Sequence, residues 1–200
     1  GEVNNPDQIL YGRLDGFGLT PRGHEMANLV ADYFAGRPVR AVFASPLLRA
    51  QQTAEPIADA AGLTVQTDSR LIEGTNVFEG TRVTARALMT NPAVWPKLVN
   101  PLRPSWGEAY REVAARMFEA MESAWDSVDG GDVVLVSHQL PIWMVHRSVG
   151  KQPLPHSPTT RRCGLCSVTS FDNSGEGWVE TGYVEPAANL AVEAIDLGAV

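Results

Sequence analysis

The run Ser45-Pro46-Leu47-Leu48-Arg49-Ala50-Gln51-Gln52-Thr53-Ala54 follows directly on an apolar stretch, and its arginine falls where a helix would begin. A guanidinium just past the carboxyl end of a buried strand presents a planar fork that grips phosphate oxygens in pairs. A second place of this kind is Val134-Leu135-Val136-Ser137-His138-Gln139, where a histidine leaves a β-branched run. An imidazole there donates to a phosphoryl oxygen and steadies the charge that develops in transfer. Between the two, Arg70-Leu71-Ile72-Glu73 and then Phe78-Glu79-Gly80 each carry a carboxyl group into a loop. Such an acid gives a proton to a departing alcohol and later takes one from water. Taken singly, each residue also has an ordinary reading: a surface arginine in an ion pair, a satisfied core histidine, a solvated loop acid.

The elements around these residues decide whether they meet. Residues 39–44 and 132–136 are continuous apolar or β-branched runs of the length of buried strands, and 63–67 is a shorter candidate. Apolar positions recur at helical spacing over 22–34, with Thr20 and Pro21 as cap and first turn, and over 47–61, stopped by Gly62. Pro56 is expected to bend or break the second of these. The clearest helix is 108–128, with Tyr110, Val113, Met117, Met121, Ala124 and Trp125 on one stripe. Short helices are expected near 81–90, 93–99 and 141–149, and strands 164–172 and 177–184 suit a terminal pair across Asp172-Asn173-Ser174-Gly175. Buried strands alternating with helices predict an α/β sandwich with a mainly parallel sheet in one domain over 1–200. Ligands of such sheets gather at the carboxyl ends of the strands, which places Ser45 and His138 on one rim.

Composition narrows the partners. Of 200 residues, 44% are hydrophobic and 20% charged, enough for a sizeable core. The formal charge of −7 argues against nucleic acid, whose phosphates demand a basic face. No run is long enough to span a membrane, and a cytoplasmic location is expected. An acidic protein can still bind a small phosphorylated substrate by focusing a few Arg, His and backbone N–H groups in one cleft. Cys163 and Cys166 have C-x-x-C spacing but no second ligand pair for zinc, and they precede a strand rather than open a helix. His24, His146 and His156 form no metal-spaced cluster.

In their order along the chain these motifs resemble the histidine phosphatase superfamily, with its phosphoglycerate-mutase-like fold. The family pattern is a strand ending in Arg-His-Gly-Glu, a Gly-x-x-Asp-x-x-Leu loop, Ser-Pro-x-x-Arg-Ala-x-x-Thr-Ala, Leu-x-Glu, and a strand ending in Ser-His-Gly. The match runs from Gly1-Glu2-Val3-Asn4-Asn5-Pro6 through Tyr11-Gly12-Arg13-Leu14-Asp15 to about residue 149, and it is complete at 45–54. The resemblance implies a three-layer α/β/α sandwich with a mostly parallel central sheet. It also implies metal-independent hydrolysis of phosphomonoesters through a phosphohistidine, without a cofactor. Arg49 would bind the phosphoryl group with His138, Glu73 would be the acid and base in preference to Glu79, and Asn5 and Gln139 would contact phosphate. Tyr11 and Arg13 would line the pocket. The nucleophilic histidine, its preceding arginine and the first strand would lie immediately before Gly1, on residues expected upstream. Gln139 stands where the family usually has glycine. Phosphoglycerate mutase chemistry and a non-catalytic phosphate-binding module are the alternatives.

Overall fold

Three parallel strands, β1 (Val39–Ala44), β2 (Val65–Thr67) and β3 (Asp132–Val136), lie in the order β2–β1–β3. They belong to a computed structural model that describes residues 1–82 and 107–192. Ala44 pairs in register with Thr67 on one side and with Val136 on the other, so all three carboxyl ends finish level. Every loop leaving those ends therefore starts on the same rim.

Side-chain alternation along these strands builds the layers. Val42, Ala44 and Val134 face α1 (Pro21–Phe34) and α2 (Leu48–Ala61), packing on Val30, Ala31, Ala54 and Ile57. Phe43 and Leu135 point the other way, toward α3 (Tyr110–Trp125) and α4 (Gln139–Val149), through Met117, Met121 and Val145. The result is the expected three-layer α/β/α arrangement with a parallel central sheet. The expected terminal pair also forms: β4 (Val168–Asp172) and β5 (Val179–Val184) make an antiparallel sheet of their own. A short helix α5 (Ala188–Ala191) follows.

Local chemistry sets the helix ends. Thr20 caps α1 by accepting from the Gly23 N–H at 3.0 Å, and Gly62 ends α2 in the left-handed region at φ 67°. Helix α4 starts at Gln139, earlier than the expected 141–149, because Pro141 falls in a first turn that has no use for its missing N–H. Pro56 does not break α2, which runs on to Ala61. A mid-helix proline costs about 3 kcal/mol, but Thr53, Ala54, Ile57 and Ala58 are buried on either side of it and hold the helix to the sheet. The short helices expected near 81–90 and 93–99 fall almost wholly outside the described residues. Among the described residues, no helix is long and apolar enough to cross a membrane.

Candidate active site

The level rim carries three charged or titratable groups that are almost completely enclosed. Arg49, Glu73 and His138 are 7%, 3% and 8% exposed, and all three line one cavity of about 500 Å³. Tyr11 and Gln139 line it too. The cavity continues between β3 and the β4–β5 hairpin, where Val134, Val136 and Val168 form its apolar walls.

Arg49 is the second residue of α2, so the helix itself sets its direction. Its guanidinium donates to the Gly12 carbonyl at 2.7 Å and lies 4.7 Å from the centre of the Tyr11 ring. Gly12 adopts φ 39°, and a Cβ there would run into the Glu79 carboxylate, so the tight approach of this loop requires glycine. Burial lowers the Arg49 pKa, opposed by the nearby Tyr11, Glu73 and Glu79 groups. Neither α2 nor α4 has a side-chain cap bond at its amino end. The backbone N–H groups of residues 48–49 and 139–140 at this rim are thus without a side-chain cap.

His138 is the residue before α4 and leaves β3 with Ser137, whose hydroxyl donates to the Leu71 carbonyl at 2.7 Å. His138 Nε2 lies 2.7 Å from Ser45 Oγ. Burial, then the neighbouring Arg49, Arg116 and Arg13, drives the imidazole pKa well below its ordinary value. Burial therefore favours the neutral ring over the imidazolium.

Glu73 follows a short 3₁₀ turn, Ser69–Leu71, whose Leu71 side chain is wholly buried beneath the rim. Its Oε1 accepts from the Gly74 N–H at 2.8 Å. Burial raises its pKa; the Gly74 N–H and the Arg49, Arg161 and Arg116 charges oppose that rise. A carboxyl group kept protonated above its usual range is suited to give a proton away. Glu79, its competitor in the sequence, is engaged elsewhere: its Oε1 accepts from the backbone N–H groups of Arg13 at 3.0 Å and Asn76 at 3.3 Å.

The chain is similar to known proteins over nearly its whole length. Residues 1–185 match the histidine phosphatase superfamily (branch 1). The chain belongs to that superfamily. It is 49% identical over 189 residues to the uncharacterized protein Rv0525 of Mycobacterium tuberculosis, covering 94% of each chain. It is 31% identical to the probable phosphoglycerate mutase GpmB of Yersinia enterocolitica, covering 93% of this chain and 87% of that one. Among solved structures, the mycobacterial glucosyl-3-phosphoglycerate phosphatase Rv2419c in complex with inorganic phosphate superposes with a TM-score of 0.75. It is 23% identical, covering 94% of this chain and 96% of that one, and shares the fold.

Other residues singled out in the sequence sit differently on this histidine phosphatase fold. Asn5 does not line the cavity; its side chain closes its own loop, donating to the Ile9 carbonyl at 2.8 Å and accepting from the Ile9 N–H at 3.2 Å. Gln139 does line it and is held at both ends, donating to the Cys163 carbonyl and accepting from Arg161, each at 3.2 Å. Arg161 also donates to His156 Nε2 at 2.9 Å, while His156 Nδ1 donates to the Leu154 carbonyl at 2.8 Å. His146 stacks on Trp143 and bonds Glu180, tying α4 to β5, and His24 is exposed. Cys163 and Cys166, in the stretch before β4, are not joined in a disulfide. Among the described residues, no group of histidine, cysteine and acidic side chains could hold a metal.

Sequence reasoning did not single out Ser45 as the partner of His138, nor Glu108, Arg116 and Arg161. Each reaches the site through at least one contact distant along the chain: Ser45 to His138, Glu108 to Arg13, Arg116 to the Arg70 carbonyl and Arg161 to Gln139.

Proposed function

We propose that this histidine phosphatase superfamily member hydrolyses phosphomonoesters through a phosphohistidine. The observation that carries the reading is the burial of Arg49, His138 and Glu73 around one cavity on the strand rim. Arg49 holds two phosphoryl oxygens, with the uncapped N–H groups of α2 and α4 beside it. His138 donates to a third oxygen and takes on charge as the dianion binds. Glu73, whose proton burial helps to retain, hands it to the departing alcohol oxygen as the P–O ester bond breaks and phosphorus bonds to the nucleophilic nitrogen. The resulting carboxylate then takes a proton from water, whose oxygen attacks phosphorus and releases phosphate from the nucleophilic nitrogen. Gln139 borders the phosphate position. Asn5 would join only by giving up its two bonds to Ile9.

The attacking histidine is assigned to the residue before Gly1. Three features support this. Gly1 lines the cavity, β3 has one edge without a strand partner among the described residues, and the apolar slot beyond that edge suits an extended segment leading into Gly1. The reading is tested with the gene product carrying the residues that precede Gly1. Phosphate release from p-nitrophenyl phosphate, insensitive to chelator and abolished in Arg49→Ala and His138→Ala, supports it. An acid-labile phosphoryl group that stays off His138 supports the nucleophile assignment.

A second reading, phosphoglycerate mutase chemistry, draws on the kinship with a probable phosphoglycerate mutase. Interconversion of 2- and 3-phosphoglycerate without net phosphate release would favour it. Tight phosphate binding without turnover would favour a non-catalytic binding module.

A further inference from the structure

Beside the cavity, three charged side chains that the proposed chemistry does not use form a closed chain. Glu108 stands just before α3, next to Ala109, its capping residue. Its Oε1 accepts from Arg116 Nε at 2.8 Å, and its Oε2 accepts from Arg116 at 3.0 Å and from Arg13 at 2.8 Å. These side chains are 15%, 16% and 28% exposed for Arg116, Glu108 and Arg13, so the bonds lie largely out of water. Both arginines then use their remaining N–H groups on the strip that ends in Glu73. Arg13 Nε donates to the Glu73 carbonyl at 2.6 Å, and Arg116 donates to the Arg70 carbonyl at 2.5 Å. One carboxylate therefore braces two guanidiniums, and these grip the backbone at both ends of residues 70–73.

We propose that Glu108 is a positioning residue for Glu73: it fixes the two arginines that clamp the strip and offsets their charge next to the acid. This rests on the reading of Glu73 as the general acid, but its geometry stands independently of turnover. The charged and titratable groups facing Glu73 are Arg49 from α2, Arg116 from α3, Arg161 from the loop before β4, Arg13 from the Gly12 loop and His138 at the start of α4. All are cations or neutral, and several favour the carboxylate. Glu108 is the anion that counters two of them. Without it, Arg13 and Arg116 act on Glu73 undiminished, and the acid loses its proton at lower pH.

The test follows the Glu73 carboxyl carbon by NMR in ¹³C-glutamate-labelled protein, its signal assigned by its loss in Glu73→Gln. Glu108→Gln keeps the shape and removes the charge. The Glu73 midpoint should then fall by about half a unit or more, and the alkaline limb of the rate profile for p-nitrophenyl phosphate hydrolysis should move to lower pH with it. Glu108→Asp should recover part of the shift. An unchanged or raised midpoint in a folded Glu108→Gln protein overturns the proposal, as does a loss of melting temperature with both pH profiles in place. A shifted NMR midpoint together with a rate profile indifferent to Glu73→Gln would uphold the clamp and sink Glu73 as the acid. Should Glu108→Gln fail to fold, Arg116→Gln reads the same clamp from the other side, with a midpoint expected to rise; a fall or no change overturns it.

Discussion

His138 Nε2 and Ser45 Oγ lie 2.7 Å apart across 93 residues of sequence, joining the end of β3 to the end of β1 beneath the cavity. Ser45 is fully buried and its backbone N–H donates to the Val136 carbonyl at 2.9 Å, so the hydroxyl is fixed by the sheet itself. The imidazole is thus oriented by a residue with no direct part in the chemistry. In Ser45→Ala that hold is lost while the cavity keeps its size. A hydrogen bond of this kind is worth about 1 to 1.5 kcal/mol, which corresponds to a fall of about tenfold in kcat. Steady-state phosphate release, with the melting temperature as control, measures it.

Stability should depend on pH in opposite senses through the two buried titratable groups. His138 has a folded pKa well below its ordinary 6.5, so the unfolded chain binds the extra proton and stability is lost as pH falls below that value. Glu73 has a folded pKa above its ordinary 4.5, so the native state holds the extra proton. Its contribution is full below 4.5 and is lost as pH rises through the folded pKa. His138→Gln should therefore gain on the wild type at pH 5, and Glu73→Gln should gain on it at pH 8. Urea unfolding across that range checks both; parallel curves for all three proteins would refute the assignment.

Arg49 should not be replaceable by lysine. Its fork simultaneously reaches the Gly12 carbonyl, stacks at the Tyr11 ring and faces the cavity, a combination that a single ammonium cannot reproduce. Loss of one buried phosphoryl donor costs about a hundredfold or more in rate, and Arg49→Lys should fall in that range despite keeping the charge. If Arg49→Lys retains most of kcat/KM, charge alone suffices and the two-point grip is wrong.

Much of this site was legible beforehand because it is written in contiguous runs. Residues 45–54 and 134–139 each join a buried strand to a helix start, so the placement of Arg49 and His138 follows from local pattern plus the parallel sheet. The ends of α1 and α2 were legible for the same reason, in Thr20, Pro21 and Gly62. Asn5 shows the limit: its neighbours match a motif, yet its amide closes a local turn on Ile9 instead of reaching the cavity. Pro56 shows another, since tertiary burial of its neighbours outweighs a local rule. The choice between Glu73 and Glu79 became physical only when the Gly12 loop and Asn76 were seen to occupy Glu79. Arg13 reaches Glu108 and Arg116 from a segment some 95 residues away, and no spacing announces such a contact.

Arg161 offers the opposite perturbation to Glu108 at the same acid. Its guanidinium donates to Gln139 Oε1 and His156 Nε2, both neutral acceptors, and its charge is among those that hold the Glu73 pKa down against burial. Burial, first of all, lowers the His156 pKa, and its ring packs against Tyr110 and Trp143. Arg161→Gln removes a cation that acts on Glu73 without touching the Glu108, Arg116 and Arg13 bonds. With less opposition, burial should raise the Glu73 midpoint further, keeping the acid form to higher pH. The alkaline limb of phosphatase activity should therefore move upward in Arg161→Gln and downward in Glu108→Gln. Rate profiles for the two variants, measured side by side on p-nitrophenyl phosphate, decide it: shifts of the same sign would mean that charge at Glu73 does not set the limb.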